Sequence, residues 1–160
     1  MGNRRVHHVG STAVPGLDAK PTIDILVGVE DLESARGCFE PLAKLSYLYA
    51  PYRPEEMHWF CKPHPRRREF HLHLVPTGSR RFDDELAFCD LLCSTPEVVR
   101  EYADLKKSLA ERFRTDREGY TKGKSDFINH ALGLEEAADG KLGPEDGGGG
   151  AASAADPRLG

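Results

Sequence analysis

The sequence predicts an α+β domain: a mixed or antiparallel sheet covered by helices, with the helices concentrated in the C-terminal part. Period-two alternation marks strands at Thr22 to Val29 and Glu69 to Val75, and apolar residues at helical spacing take over from about Asp83. Strands interrupted by one helix, then a hairpin, then three helices is an order that segregates sheet from helices rather than alternating them.

At 160 residues the chain has room for one domain with a substantial core. From about Glu135 the composition turns to Ala, Gly, Asp, Glu and Pro, with four glycines at 147–150, too little apolar surface to offset the entropy of ordering. The expected division is a folded domain over 1–135 and a disordered tail over 136–160. A formal net charge of -4 argues against general nucleic-acid binding, which needs a basic face, although Arg66, Arg67 and Arg68 form one local cluster that reads as a solvated turn. Cys38, Cys61, Cys89 and Cys93 contain no C-x-x-C pair. With no signal peptide and no apolar run of membrane-spanning length, a cytoplasmic protein with reduced thiols and no membrane partner is expected.

Taken in order, Arg4 to Val9 reads as a short strand. It begins almost at the first residue, so an N-terminal element that would cover its edge is expected to be missing, and the bare edge favours a homodimer. Gly10 to Pro21 is a structured loop with a turn at Pro15-Gly16. In the strand that follows, Ile23, Ile25, Val27 and Val29 share the core face, while Thr22, Asp24, Leu26 and Gly28 share the other. Asp31 is the expected N-cap of a helix from about Leu32 to Leu45. Pro51 and Pro54 separate two short strands at about 46–50 and 57–62. The basic stretch His64 to Arg68 then turns the chain into Glu69 to Val75, where Phe70, Leu72 and Leu74 oppose Glu69, His71 and His73. Helices follow at about Asp83 to Cys93, from Pro96 behind a Thr95 cap, and at about Tyr120 to Leu134. Val98, Tyr102, Leu105, Leu109 and Phe113 form the buried stripe of the second, and Phe127, Ile128, Ala131 and Leu132 that of the third.

Asp24 is the first residue that needs a reason, because an unpaired carboxylate in an apolar strand costs about several kcal/mol to bury. Gly10-Ser11-Thr12 at a strand end offers amides and hydroxyls to an anion, Lys20 suits a phosphate, and Asp24 suits a divalent cation. The alternative for Asp24 is holding the Gly10 to Pro21 loop in place by accepting hydrogen bonds from its amides. His71 and His73, with Glu69 beside them and His8 as a fourth group, form a ligand-like face, or alternate as ordinary surface histidines. Imidazoles suit zinc, manganese or iron better than magnesium, and they also suit proton shuttling near neutral pH.

The segments H-V-G-S-T-A-V-P-G-L-x-x-K-P-x-I-D-I, H-L-H-L-V, T-P-E-V-V-R-E-Y-A-D-L-K-K-S-L-A-E-R-F and Y-T-K-G-K-S-D-F-I resemble the GrpB family. This uncharacterised-protein family is assigned to the nucleotidyltransferase superfamily, and some members are similar to a domain fused behind dephospho-CoA kinase. The likeness runs from about His8 to Leu132. It implies a nucleotidyltransferase-like core, a Gly-Ser loop near nucleotide phosphates and a divalent metal, Mg or Mn with Zn as the alternative. Gly10 and Ser11 match the loop, and Asp24 matches the first acid of a D-x-D pair. Leu26 stands where the second acid belongs, and His71, His73 and Glu69 replace a later third acid. Lys124 matches a lysine that recurs near the family's C-terminal end and is read either as a phosphate ligand or as part of a solvated helix face.

Three functions follow as expectations. The first is binding of a nucleotide or other phosphorylated ligand with a metal, extending to nucleotidyl transfer. The second is a non-catalytic accessory module with a degenerate site, and the third is a metal-dependent hydrolase using His8, His71 and His73.

Overall fold

The computed structural model describes residues 5–64 and 66–134. The expected tail over 136–160, together with Arg4 of the first strand, lies outside the described residues. Five strands, β1 (Val6–Val9), β2 (Ile23–Val29), β3 (Leu48–Tyr49), β4 (His58–His64) and β5 (Arg67–Pro76), form one sheet in the order β1-β2-β5-β4-β3. β2 and β5 run parallel and the other neighbours are antiparallel, so the sheet is mixed. The helices are α1 (Leu32–Ala35), α2 (Phe39–Lys44), α3 (Arg80–Ser94), α4 (Pro96–Arg112) and α5 (Arg117–Ala131). The α+β expectation holds.

Local chemistry accounts for most boundaries. Asp31 caps α1 by accepting the Ser34 amide at 2.7 Å, as expected, but a tight turn at Arg36–Cys38, where Gly37 weakens helix propagation, divides the single predicted helix into α1 and α2. Ser79 caps α3 by accepting the Phe82 amide, so that helix starts three residues earlier than its apolar spacing suggested. Pro96 opens α4, although Thr95 makes no side-chain cap bond, and Phe113 falls at the helix end. Asp116 caps α5 through the Gly119 amide, again ahead of the predicted start at Tyr120.

The two faces of the sheet are dressed differently. On one, Ile25, Val27, Leu72, Leu74 and Phe60 pack against Ala35, Phe39 and Leu42 of the broken helix. On the other, Val9, Leu26, Trp59, Cys61 and Val75 pack against Phe82 of α3. A third apolar cluster joins the loop residues Val14 and Leu17 to Phe88 and Leu92 of α3 and Tyr102 of α4, with Phe127 and Ile128 of α5 against it. The loop after β1 is therefore clamped by helices from the far end of the chain. Asp24, His71 and His73 lie on the α3 face, beyond the edge of its apolar packing.

Candidate functional site

Register assembles the site. Asp24 of β2 sits directly across from His71 of β5, and Leu26 directly across from His73. Because strand side chains alternate, Asp24, His71 and His73 all project from one face of the two central strands. The His71 Nδ1 lies 2.8 Å from Asp24 Oδ1. An ionised carboxylate only accepts, so His71 donates from Nδ1 and its Nε2 is left as a bare acceptor, buried and without a hydrogen bond. His73 Nε2 is 3.9 Å from the same Asp24 oxygen, and its Nδ1 is 3.7 Å from Glu85 Oε2 on α3. One ligand atom from each of Asp24, His71 and His73 fits within a 4.8 Å span, a spacing compatible with a shared metal ion. The Trp59 indole backs the His71 ring at 4.9 Å between centroids, and the Arg68 guanidinium lies over that indole.

Gly10 brings the loop onto this cluster. Its φ of 74° and ψ of -171° define a conformation that residues with a side chain rarely adopt, and a Cβ there would sit 2.7 Å from Asp24 Oδ2. Ser11 is fixed from α4: Lys106 Nζ donates to Ser11 Oγ at 3.1 Å and to the Asp18 carbonyl at 3.0 Å. Burial, and then the neighbouring Lys124, lower the Lys106 pKa, with Asp18 opposing.

A cleft of about 830 Å³ opens over Asp24 and His73, its lining also including Gly10, Ser11, Glu85 and Lys124 but not His71. Lys124 thus faces inward, with its ammonium 5.3 Å from the Tyr120 ring centroid. Burial pushes its pKa down while Asp24 opposes that shift, which places both charges in one electrostatic environment. Tyr102, beneath the cleft, is pushed up to about 12 by burial, then by Tyr120 and Asp24. Of the two readings of Lys124, the solvated face is the one the geometry corrects.

Four other expectations change. His8 lies across from Ile25, which puts it on the opposite face of the sheet from Asp24, where it bonds Thr12 at 2.9 Å. The His8, His71 and His73 hydrolase trio is therefore not assembled. Glu69 pairs with Arg67 at 2.8 Å and is not one of the three convergent residues. Thr12 spends its hydroxyl on the Thr22 carbonyl, and it is absent from the cleft lining. Lys20 is exposed and also outside that lining, its expected place beside the loop being taken by Lys106.

Sequence reasoning missed Glu85, Arg81 and Lys106. A signal existed for two of them. Glu85 occupies an inward position of the Phe82, Glu85, Cys89, Leu92 stripe of α3, and Lys106 follows Tyr102 by one turn on the buried side of α4. A charged residue within an apolar stripe asks for a partner in the same way that Asp24 does.

The family pattern described as GrpB protein matches residues 2–133. The chain belongs to the GrpB family. A UPF0157 protein of Pseudomonas aeruginosa is 39% identical over 137 residues, covering 83% of this chain and 56% of its own length. The glutamate-rich protein GrpB of Alkalihalophilus pseudofirmus is 33% identical over 132 residues, covering 79% and 76%. A dephospho-CoA kinase of Mycolicibacterium paratuberculosis is 28% identical over 152 residues, which is 79% of this GrpB-family chain and 37% of the kinase. The crystal structure of conserved protein GrpB from Enterococcus faecalis superimposes with a TM-score of 0.67 at 30% identity, covering 81% of this chain and 80% of that one. The chain spans 56% and 65% of the lengths of its Pseudomonas and Deinococcus radiodurans relatives. Among the described residues no helix is long and apolar enough to cross a membrane.

Proposed function

We propose that this GrpB-family chain binds a nucleotide or another phosphorylated ligand together with a divalent metal held by Asp24, His71 and His73. The observation that carries the reading is the convergence of those three donors within 4.8 Å, two of which, Asp24 and His73, line the cleft. The donor set fits a cation: His71 Nε2 and both His73 ring nitrogens are buried without a hydrogen bond, a condition that folded proteins rarely leave unrelieved. Two imidazoles and one carboxylate favour zinc, manganese or iron over magnesium. When bound, the metal supplies positive charge that polarises and orients phosphoryl oxygens.

The chain's own groups do the remaining work. Lys124 offers an ammonium from the cleft wall to an anionic ligand, and Ser11, held by Lys106, presents its backbone and hydroxyl at the rim. Metal on Asp24 would withdraw the carboxylate that offsets the Lys124 charge, so an anion entering with the metal restores the balance.

A second reading, binding without nucleotidyl transfer, is favoured by Leu26. It occupies the position of the second acid, is 0% exposed and belongs to the apolar core. Two-metal transfer chemistry needs the carboxylate that is missing there.

Calorimetry with manganese, zinc and magnesium, followed by nucleotides and coenzyme A precursors, tests both readings. Metal-dependent ligand binding that Asp24→Ala weakens by tenfold or more supports the site. Ligand binding indifferent to metal and to Asp24→Ala rejects it. Release of pyrophosphate from labelled nucleoside triphosphates then separates transfer from binding alone.

A further inference from the structure

Building on the metal-binding reading, we infer that Glu85 is a positioning residue that orients His73 as a ligand, and that Arg81 holds Glu85 in place for that task. His73 has a carboxylate at each ring nitrogen: Glu85 Oε2 lies 3.7 Å from Nδ1, and Asp24 Oδ1 lies 3.9 Å from Nε2. Neither nitrogen has a hydrogen bond, and both are buried. A neutral imidazole has one proton to give, so the two sides compete for it. Glu85 takes it when Nδ1 donates outward to α3, and Nε2 is then a bare lone pair facing Asp24. That is the form in which an imidazole joins a metal beside a carboxylate, with an outer carboxylate fixing its tautomer and raising its basicity.

Arg81 decides which way Glu85 points. Its Nη2 lies 3.1 Å from Glu85 Oε1 and its Nη1 donates to Glu56 Oε2 at 2.7 Å, so one guanidinium bridges two carboxylates. The bridge engages Oε1 and leaves the other oxygen, Oε2, turned toward His73. Glu56 belongs to the segment that precedes β4, so the orientation of a buried imidazole is tied to a loop on the cleft wall. A Glu85 placed only to neutralise Arg81 would require no imidazole at its second oxygen.

His71 has the same logic with the partners exchanged. Its Nδ1 donates to Asp24 and its Nε2 is bare. In the metal-free fold both histidines then share one tautomer, with Nδ1–H toward a carboxylate, and His71 exchanges that proton contact for the ion when Asp24 and His71 bind it together. In the metal-free fold Asp24 is engaged by the His71 Nδ1 proton, so the Nδ1 side of His73 has a carboxylate of its own in Glu85.

The experiment pairs nitrogen-15 NMR of the histidine side chains with cobalt(II) titration followed by visible absorption. In metal-free wild type at mildly alkaline pH, His73 is expected as the Nδ1–H tautomer, and in Glu85→Leu as a shift toward Nε2–H. Cobalt affinity is expected to fall about tenfold in Glu85→Gln, whose amide oxygen still accepts, and by up to about a hundredfold in Glu85→Leu, the range for loss of an outer partner. Glu85→Gln retains an acceptor for Arg81, so a spectral change in that variant without a loss of thermal stability separates positioning from structural support. Cobalt binding in wild type that both variants match, or an Nε2–H tautomer of His73 in wild type, overturns the role of Glu85 alone. No cobalt binding in wild type overturns the metal reading along with it.

Discussion

Gly10 shows how much of the site depends on a missing side chain. Its backbone conformation is one that essentially only glycine adopts without strain, which costs another residue about 1–3 kcal/mol. Gly10→Ala adds a second problem, a methyl 2.7 Å from the Asp24 carboxylate oxygen. Gly16 provides the control: its φ is 77°, yet nothing lies within 4 Å of the position a Cβ would take. Both Ala variants are expected to lose about 1–3 kcal/mol in urea denaturation. Gly10→Ala alone is expected to lose metal affinity in the same titrations, and equal metal binding by both variants would sever the loop from the site. The sequence made this residue legible because glycine before two hydroxyls at a strand end has a backbone reason to exist. It marked Lys106 less plainly, because a lysine on a helix is ordinarily solvated, and the Ser11 and Asp18 contacts are what give its place one turn after Tyr102 a role.

At the level of the strand, alternation decides nearly everything. It correctly separated Asp24 from Ile23 and Ile25, and His71 and His73 from Leu72 and Leu74, and the parallel pairing of β2 with β5 then brought the two polar sets together. Alternation could not reveal which strands would be neighbours. His8, two strand positions from Gly10, therefore looked like a companion of the cluster, while pairing with Ile25 sends it through the sheet to the other side. Glu69 lies on the correct face but at the far end of the row, where Arg67 claims it. The same geometry predicts the fate of a restored second acid. Leu26→Asp would bury a carboxylate among Val9, Met57, Trp59 and Phe82, at a cost of about several kcal/mol. Loss of the cooperative thermal transition is expected, whereas Leu26→Met stays within about 1.5 kcal/mol of wild type. A folded Leu26→Asp protein with pyrophosphate-releasing activity would contradict this and bring the strand back toward transfer chemistry.

Across the whole molecule, the sheet supplies the cluster and the C-terminal helices supply its counter-charge. α5 packs its apolar side, with Phe127 and Ile128, into the cluster that also contains Val14 and Leu17 of the loop, and this delivers Lys124 to the cleft. Such an arrangement has a cost in the ligand-free fold. Burial holds the Lys124 pKa below its ordinary 10.5, so the folded chain releases this proton before the unfolded chain does. Between the two values the unfolded chain binds more protons, and stability therefore rises with pH in that window; below the folded value the penalty is present in full. Lys124→Met removes the penalty. The variant is expected to melt higher than wild type at neutral pH and to lack the alkaline gain, as followed by thermal denaturation across the pH range. Ligand binding should move the opposite way, because an anion needs the ammonium: affinity for a phosphorylated ligand is expected to fall by about 1.5–3 kcal/mol in Lys124→Met. In wild type the same affinity should weaken as pH rises through the lowered pKa of Lys124. A variant that melts lower than wild type and binds phosphorylated ligands as well as wild type would assign Lys124 to the architecture of α5 and leave the cleft without its principal anion contact.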